Sequence, residues 1–201
     1  MKKPSIVYHD HNPFIGCYKQ VVSKKECQKL IDLAEQKLQP SAIVGQSKTE
    51  ISPARKSDQA QFRYDCNAIV QKVADRIASI AGQPLNHAED LRVIRYQAGG
   101  KFDEHFDAFD SSARLGKKHI TKGGQRILTA LLYLNTVHAG GETFFPALSL
   151  NVPPSQGDLL VFENCRKGTT VPHPLSRHGS HPLKSGEKWI STLWFREKRQ
   201  Y

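Results

Sequence analysis

His105-Phe106-Asp107 places an imidazole and a carboxylate one residue apart. On an extended chain alternate residues point to the same side, so both could reach one ion. A second imidazole would complete the two-His, one-carboxylate donor set of a non-haem Fe(II) centre, which keeps coordination positions open. Three later histidines compete for that role: His173, His178 and His181. Lys188 is flanked by Trp189 and Ile190 in a β-rich run, an unusual setting for a surface lysine and a suitable one for anchoring a ligand carboxylate. His87-Ala88-Glu89 repeats the His-x-carboxylate form, but it lies in a polar stretch ahead of the first β-rich run and reads as structural.

Four segments in order carry a resemblance to a known family. They are Arg95-Tyr96-Gln97-Ala98-Gly99-Gly100-Lys101-Phe102-Asp103-Glu104-His105-Phe106-Asp107, then Gly123-Gly124-Gln125-Arg126 leading into Thr129 to Asn135, then Gly140-Gly141-Glu142-Thr143-Phe144-Phe145-Pro146, and last His178-Gly179-Ser180-His181-Pro182 with Gly186-Glu187-Lys188-Trp189 behind. In letters and spacing together this resembles the prolyl 4-hydroxylases, Fe(II)- and 2-oxoglutarate-dependent dioxygenases, over roughly residues 13 to 198.

The resemblance implies specific roles. The family's distal histidine stands ten residues before its co-substrate lysine, which selects His178 as the third ligand beside His105 and Asp107 and makes Lys188 the anchor for 2-oxoglutarate. Tyr96 and Thr143 would add hydroxyl contacts to the co-substrate. Arg55 and Ser57, similar to the family's Arg-x-Ser segment, would bind the peptide together with Arg126 and Trp194. The implied reaction consumes O2 and 2-oxoglutarate, releases succinate and CO2, and hydroxylates C4 of proline in a peptide or protein. Ascorbate belongs to the same set of expected cofactors, its requirement left open by the residues. Two positions depart from the pattern. Phe102 stands where many members place a tyrosine that contacts the co-substrate, and a phenyl ring cannot donate that hydrogen bond. His181 stands where relatives often carry another residue.

The elements that must position these residues follow from periodicity. Ser23-Lys24-Lys25-Glu26 has the form of a capping box, and Cys27, Leu30, Ile31, Ala34 and Leu38 form one helical stripe after it. A second helix is expected from about Asp65 to Ala81 with the stripe Ile69, Val73, Ile77 and Ile80, and Gly82 as its stop. From Leu91 onward short β-branched and aromatic runs predict eight strands: 91–97, 102–107, 126–134, 142–145, 148–152, 158–163, 174–181 and 188–196. Helices ahead of an antiparallel double sheet make an α+β, mainly β chain with a jelly-roll (double-stranded β-helix) core. Residues 1–201 then form a single domain, with 13–90 as helical support and substrate loop and 91–198 as the core. The stretches 41–64 and 108–125 read as long loops of the kind that cover or bind.

Composition sets the class. With 201 residues, 38% hydrophobic and 24% charged, the chain suits one globular domain, and no apolar run approaches the length that crosses a bilayer. The basic start, Met1 to Asp10, lacks the apolar stretch of a secretory signal, so a cytoplasmic location is expected. The four cysteines, Cys17, Cys27, Cys66 and Cys165, show no paired spacing and read as thiols. The net charge of +10 is dispersed, with Lys24, Lys25, Lys29 and Lys37 on one helix and Arg196, Lys198 and Arg199 at the end, which describes a solvated face rather than a nucleic-acid footprint. Only Arg114 to Lys122 is dense, and it borders the expected site. The expected partner is a proline-containing peptide or protein, with neither membrane nor nucleic acid and a monomer or homodimer as the working state. Two other readings remain: the same chemistry on a free amino acid, small molecule or methylated nucleic acid, and a non-catalytic jelly-roll binding module.

Overall fold

The computed structural model describes residues 3–44 and 49–201. Two antiparallel strands, β1 (Ile6–His9) and the wholly buried β2 (Ile15–Tyr18), lead into helix α1 (Lys24–Glu35). Ser23 caps that helix as its sequence demands: its hydroxyl accepts from the Glu26 amide at 3.3 Å, and the Glu26 carboxylate accepts from the Ser23 amide at 3.0 Å. Short strands β3 (Gln39–Pro40), β4 (Ile43–Val44) and β5 (Thr49–Glu50) precede β6 (Asp58–Phe62) and helix α2 (Ala68–Ala81). Then come β7 (Leu91–Gln97), β8 (Phe102–His105), α3 (Arg114–Gly123), β9 (Arg126–Tyr133), β10 (Thr143–Phe145), β11 (Leu150–Val152), β12 (Leu159–Glu163), β13 (His178–Ser180) and β14 (Glu187–Arg196).

An eight-stranded sheet in the order β1-β2-β12-β9-β14-β7-β6-β3 faces a four-stranded sheet in the order β11-β10-β13-β8, and together they are the expected jelly roll. The two-residue period of the long strands sorts their side chains between two cores. Leu128, Ala130, Leu132, Trp189, Leu193 and Phe195 pack outward under α1 and α2. Leu131, Tyr133, Ile94, Tyr96 and Ile190 point inward, toward Phe145 and Val152 of the small sheet. Lys188, Thr192 and Trp194 share the inward phase of β14, and this phase delivers them to the interior. Among the described residues no helix is long and apolar enough to cross a membrane.

Several boundaries differ from the sequence expectations. Residues before 91 supply more than helical support, because β1, β2, β3 and β6 extend both edges of the large sheet. The polar run Asp58-Gln59-Ala60-Gln61-Phe62 becomes a strand because it pairs with the edge of β7, from Asp58 opposite Arg95 to Phe62 opposite Leu91. An Arg95–Asp58 ion pair at 2.9 Å adds to that register. The expected loop 41–64 is therefore paired in part, at 43–44, 49–50 and 58–62, and its residues 45–48 lie outside the described ones, as do Met1 and Lys2. Helix α2 begins three residues later than expected, where the Asn67 side chain accepts from the Ile69 amide, and Val70 rather than Ile69 is fully buried. The left-handed Gly82 (φ 65°) ends it.

Within 108–125 lies helix α3, which has no side-chain cap. Tertiary bonds secure it instead, with Arg196 Nη2 donating to the His119 carbonyl at 2.8 Å. Gly116 packs so closely that a Cβ there would sit 1.9 Å from the Asp110 carbonyl oxygen. The expected strand 174–181 is shorter: Pro174–Ser176 form a 3₁₀ turn whose Leu175 amide is accepted by His173 Nδ1, and only His178–Ser180 pair. Strand β8 likewise ends at His105, so Asp107 lies just beyond it, not on it.

Candidate metal centre and its cavities

His105 and His178 face each other in register across β8 and β13. One donor atom from each of His105, Asp107 and His178 lies within 4.8 Å of the others, the one such trio of His, Cys, Asp or Glu side chains among the described residues. Both imidazoles are oriented by their far nitrogen: Nδ1 of His105 donates to the Asp103 carbonyl at 2.8 Å, and Nδ1 of His178 to the Ser176 carbonyl at 2.9 Å. A carbonyl only accepts, so each Nδ1 carries the proton and each Nε2 is left as a lone-pair donor. These Nε2 atoms lie 3.6 Å from Asp107, His105 against Oδ1 and His178 against Oδ2.

Charge states suit a cation. Burial alone would raise the Asp107 carboxyl, but His178 and then His105 hold it well below the usual carboxylate range. Burial, then repulsion from His105, pushes His178 down to about 4, so its ring is neutral at physiological pH. A neutral imidazole at His178 and an ionised carboxylate at Asp107, with His105 as the second imidazole, fit Fe(II) with positions to spare. Phe102 stacks on the His105 ring at 3.6 Å between centroids, with the Arg55 guanidinium 4.8 Å from the Phe102 ring centroid, so the tyrosine position is filled by an apolar support for a ligand ring.

Behind the trio a narrow cavity runs to Lys188, lined by Ile94, Leu131, Ile190, Tyr96, Thr143, Ser180 and Thr192. Lys188 is 1% exposed. Its ammonium donates to Ser180 Oγ at 2.7 Å and sits 5.0 Å from the Tyr96 ring. Burial pushes its pKa down to about 7, against a weak upward pull from Glu142, and no carboxylate ion-pairs with it among the described residues. A buried ammonium without a counter-charge fits an incoming carboxylate. Thr143 faces the same cavity, where its oxygen accepts from the Tyr133 hydroxyl at 2.9 Å.

On the solvent side a groove of about 680 Å³ opens, sharing Arg55, Phe102, His105, Asp107 and Trp194 with the inner cavity. Trp194 lies between two cations, Arg126 at 3.9 Å and Arg92 at 4.9 Å from its ring, and its buried Nε1 has no hydrogen-bond partner among the described residues. Arg126 also lines the groove, but Nε and Nη2 are committed to a bidentate pair with Glu89, both at 2.7 Å. Burial would raise Glu89, yet Arg126 and Arg196 hold it at about 2.

Of the residues expected from sequence, His105, Asp107, His178, Lys188, Tyr96, Thr143, Arg55 and Trp194 line one cavity, and Arg126 joins them from the groove. Ser57 lines neither; its oxygen accepts from Arg55 Nε at 3.1 Å and its hydroxyl reaches Ser41 at 2.9 Å, so it braces Arg55. His173 caps a turn, and half-buried His181 bonds Asn151 at 3.0 Å and stacks on Phe144. Sequence reasoning missed Ser180, although it stands two residues after His178 and strand alternation points it the same way. It also missed Thr129, Asn164 and Tyr133, which carry no local signal. Glu89, expected to be structural, is the partner that fixes Arg126.

Comparisons agree with this geometry. Residues 91–196 match the family described as the 2OG-Fe(II) oxygenase superfamily. The chain is 34% identical over 189 residues to a protein of Acanthamoeba polyphaga mimivirus provisionally named a prolyl 4-hydroxylase, covering 94% of this chain and 76% of that one. It is 35% identical over 200 residues to prolyl 4-hydroxylase 2 of Arabidopsis thaliana, covering 88% of this chain and 65% of the plant protein, and so spans just under two-thirds of its length. The crystal structure of a viral collagen prolyl hydroxylase from Paramecium Bursaria Chlorella virus-1, a 2OG complex, is similar with a TM-score of 0.70 at 25% identity over 90% of this chain and 94% of that one. The chain thus belongs to the 2OG-Fe(II) oxygenase superfamily and, within it, to the prolyl 4-hydroxylase family.

Proposed function

We propose that this protein is a prolyl 4-hydroxylase that hydroxylates C4 of proline within a peptide or protein, using Fe(II), O2 and 2-oxoglutarate. The observation that carries the reading is the convergence of His105, Asp107 and His178 at the mouth of the cavity that contains the unpaired ammonium of Lys188. The bound metal and co-substrate supply the oxidising chemistry, converting 2-oxoglutarate and O2 to succinate and CO2 while one oxygen atom enters the substrate C–H bond.

The chain's own residues bind, orient and exclude. His105, Asp107 and His178 would hold the ion, a three-ligand set that would leave coordination positions for the co-substrate and O2. Lys188 takes the far carboxylate of 2-oxoglutarate in a charge-assisted hydrogen bond, with Ser180 holding the ammonium in line and Thr143 and Tyr96 beside it. Ile94, Leu131 and Ile190 keep water from that end. The groove takes an extended peptide: Trp194 lines it with an unpartnered Nε1, Arg55 sits where groove and cavity meet, Ser57 braces Arg55, and Arg126 packs on the ring of Trp194. The breadth of this groove, set against the narrow inner cavity, supports a peptide over a free amino acid.

The reading includes a single catalytic domain in the cytoplasm, supported by four cysteines that are all unpaired, with burial pushing Cys17 and Cys27 up to about 11 and Cys165 up to about 12. The reading extends to ascorbate as a cofactor and to a monomeric or homodimeric state. The test is mass spectrometry of proline-containing peptides, free proline and methylated oligonucleotide after incubation with protein, Fe(II), 2-oxoglutarate and air, beside His178→Ala. A gain of one oxygen on a peptidyl proline, absent with the variant, is the expected result. Succinate without peptide modification would overturn the substrate assignment and keep the oxygenase.

A further inference from the structure

Asp107 presents two oxygens, and the two imidazoles do not choose between them, since each oxygen lies 3.6 Å from one Nε2. A hydroxyl does choose. Thr129 Oγ1 lies 2.7 Å from Oδ2 of Asp107, and Asn164 Nδ2 lies 2.9 Å from the same Oγ1. Thr129 and Asn164 are each 1% exposed, on or just after strands of the large sheet. A threonine hydroxyl has one proton, and an ionised carboxylate can only accept. The proton therefore points at Asp107, and the Thr129 lone pair receives the Asn164 amide. The close contact between Thr129 Oγ1 and Asn164 Oδ1, 3.2 Å, is then not a donated bond.

Nearby, the Ser176 carbonyl accepts from His178 Nδ1 at 2.9 Å, while the single Ser176 hydroxyl proton goes to the His173 carbonyl at 2.8 Å, nearer than the Asn164 carbonyl at 3.1 Å.

We propose that Thr129, oriented by Asn164, is a positioning residue that occupies Oδ2 of Asp107 and leaves Oδ1 to hold the metal alone. The inference rests on the metal-centre reading above. A carboxylate free to turn could bind through both oxygens and take a position that the co-substrate needs. Partners of this kind, outside the ligands themselves, typically change metal affinity by about 10–100-fold.

The test uses metal-free full-length chain titrated with Co(II), followed by its visible absorption and then by the change on adding 2-oxoglutarate. Thr129→Val removes the hydroxyl at similar size, and Thr129→Ser keeps it. The expected result is a Co(II) affinity about tenfold weaker with Thr129→Val, a smaller spectral response to 2-oxoglutarate, and recovery to within about threefold of wild type with Thr129→Ser. If Thr129→Val does not fold, Asn164→Asp, which loses the amide donor in the same shape, must show the weakening instead. Wild-type affinity and spectrum in Thr129→Val or in Asn164→Asp, or a Thr129→Ser variant as impaired as the valine, would overturn the assignment. Failure of the wild-type chain itself to bind Co(II) would overturn it together with the metal centre. Because no peptide enters the measurement, an error in the substrate reading leaves its outcome unchanged.

Discussion

His105 and His178 are separated by more than seventy residues yet stand opposite each other in one antiparallel pair, with ring centroids 4.4 Å apart. Their register is what makes a third ligand sufficient: Asp107, two residues beyond the end of β8, closes the triangle.

Removing one corner should remove the metal. His178→Ala is expected to lower metal affinity by more than about 100-fold, beyond what loss of a supporting partner costs, and to abolish succinate formation. Bound metal per chain, measured by elemental analysis after dialysis, checks it, and stoichiometric retention would refute the ligand assignment.

Lys188 makes co-substrate binding pH-dependent. Its pKa of about 7 means that the ammonium is present below pH 7 and must be regained above it when 2-oxoglutarate binds. Affinity for 2-oxoglutarate is expected to weaken as pH rises past 7, by up to about tenfold per unit until the pKa of the bound form is reached. Calorimetric titrations across that range decide the matter, since a flat or rising affinity contradicts it. Without co-substrate the sign is opposite for stability. The folded pKa lies below the ordinary 10.5, so the chain gains stability as pH rises from about 7 toward 10.5, and Lys188→Met should remove that gain.

Glu89 contributes acid-sensitive stability. Its folded pKa of about 2 lies below the ordinary 4.5, so its contribution is complete above pH 4.5 and is lost as pH falls toward 2. Glu89→Gln leaves Arg126 and Arg196 without their shared carboxylate, whose side chain is 15% exposed, and should cost about 3–5 kcal/mol at pH 7. Urea unfolding of both proteins at neutral and acidic pH reads this. A gap that does not shrink on acidification would show that the pair is not the cause.

Trp194→Phe keeps a ring between Arg126 and Arg92 and removes the unpartnered Nε1 donor. If that donor meets the peptide, KM for peptide should rise by roughly fivefold, the worth of about 1 kcal/mol for one hydrogen bond, with kcat nearly unchanged. An unaltered KM would leave Trp194 as packing alone.

Much of the site was legible because its signals are local. His105 and Asp107 are two residues apart, His178 and Lys188 lie on or beside strands with clear β patterns, and the Ser23 capping box needs only four residues to declare itself. Elements whose stability comes from elsewhere were hidden. Asp58–Phe62 is a strand because β7 offers an edge, and Arg114–Gly123 is a helix because Arg196 holds its carbonyls and Gly116 permits close approach.

The sequence by itself determined the donor types, the two-residue spacing, the order of the strands after Leu91 and the family they imply. Tertiary structure decided that His178 stands in register opposite His105 and within reach of Asp107, that Ser57 braces Arg55 instead of facing the groove, and that Thr129 and Asn164 reach the ligand carboxylate. The physical reason is the range of the interactions involved. Side-chain alternation and capping act within a few residues and are written in the chain, whereas register between strands and the pairing of buried polar groups depend on which distant segments the two sheets bring together.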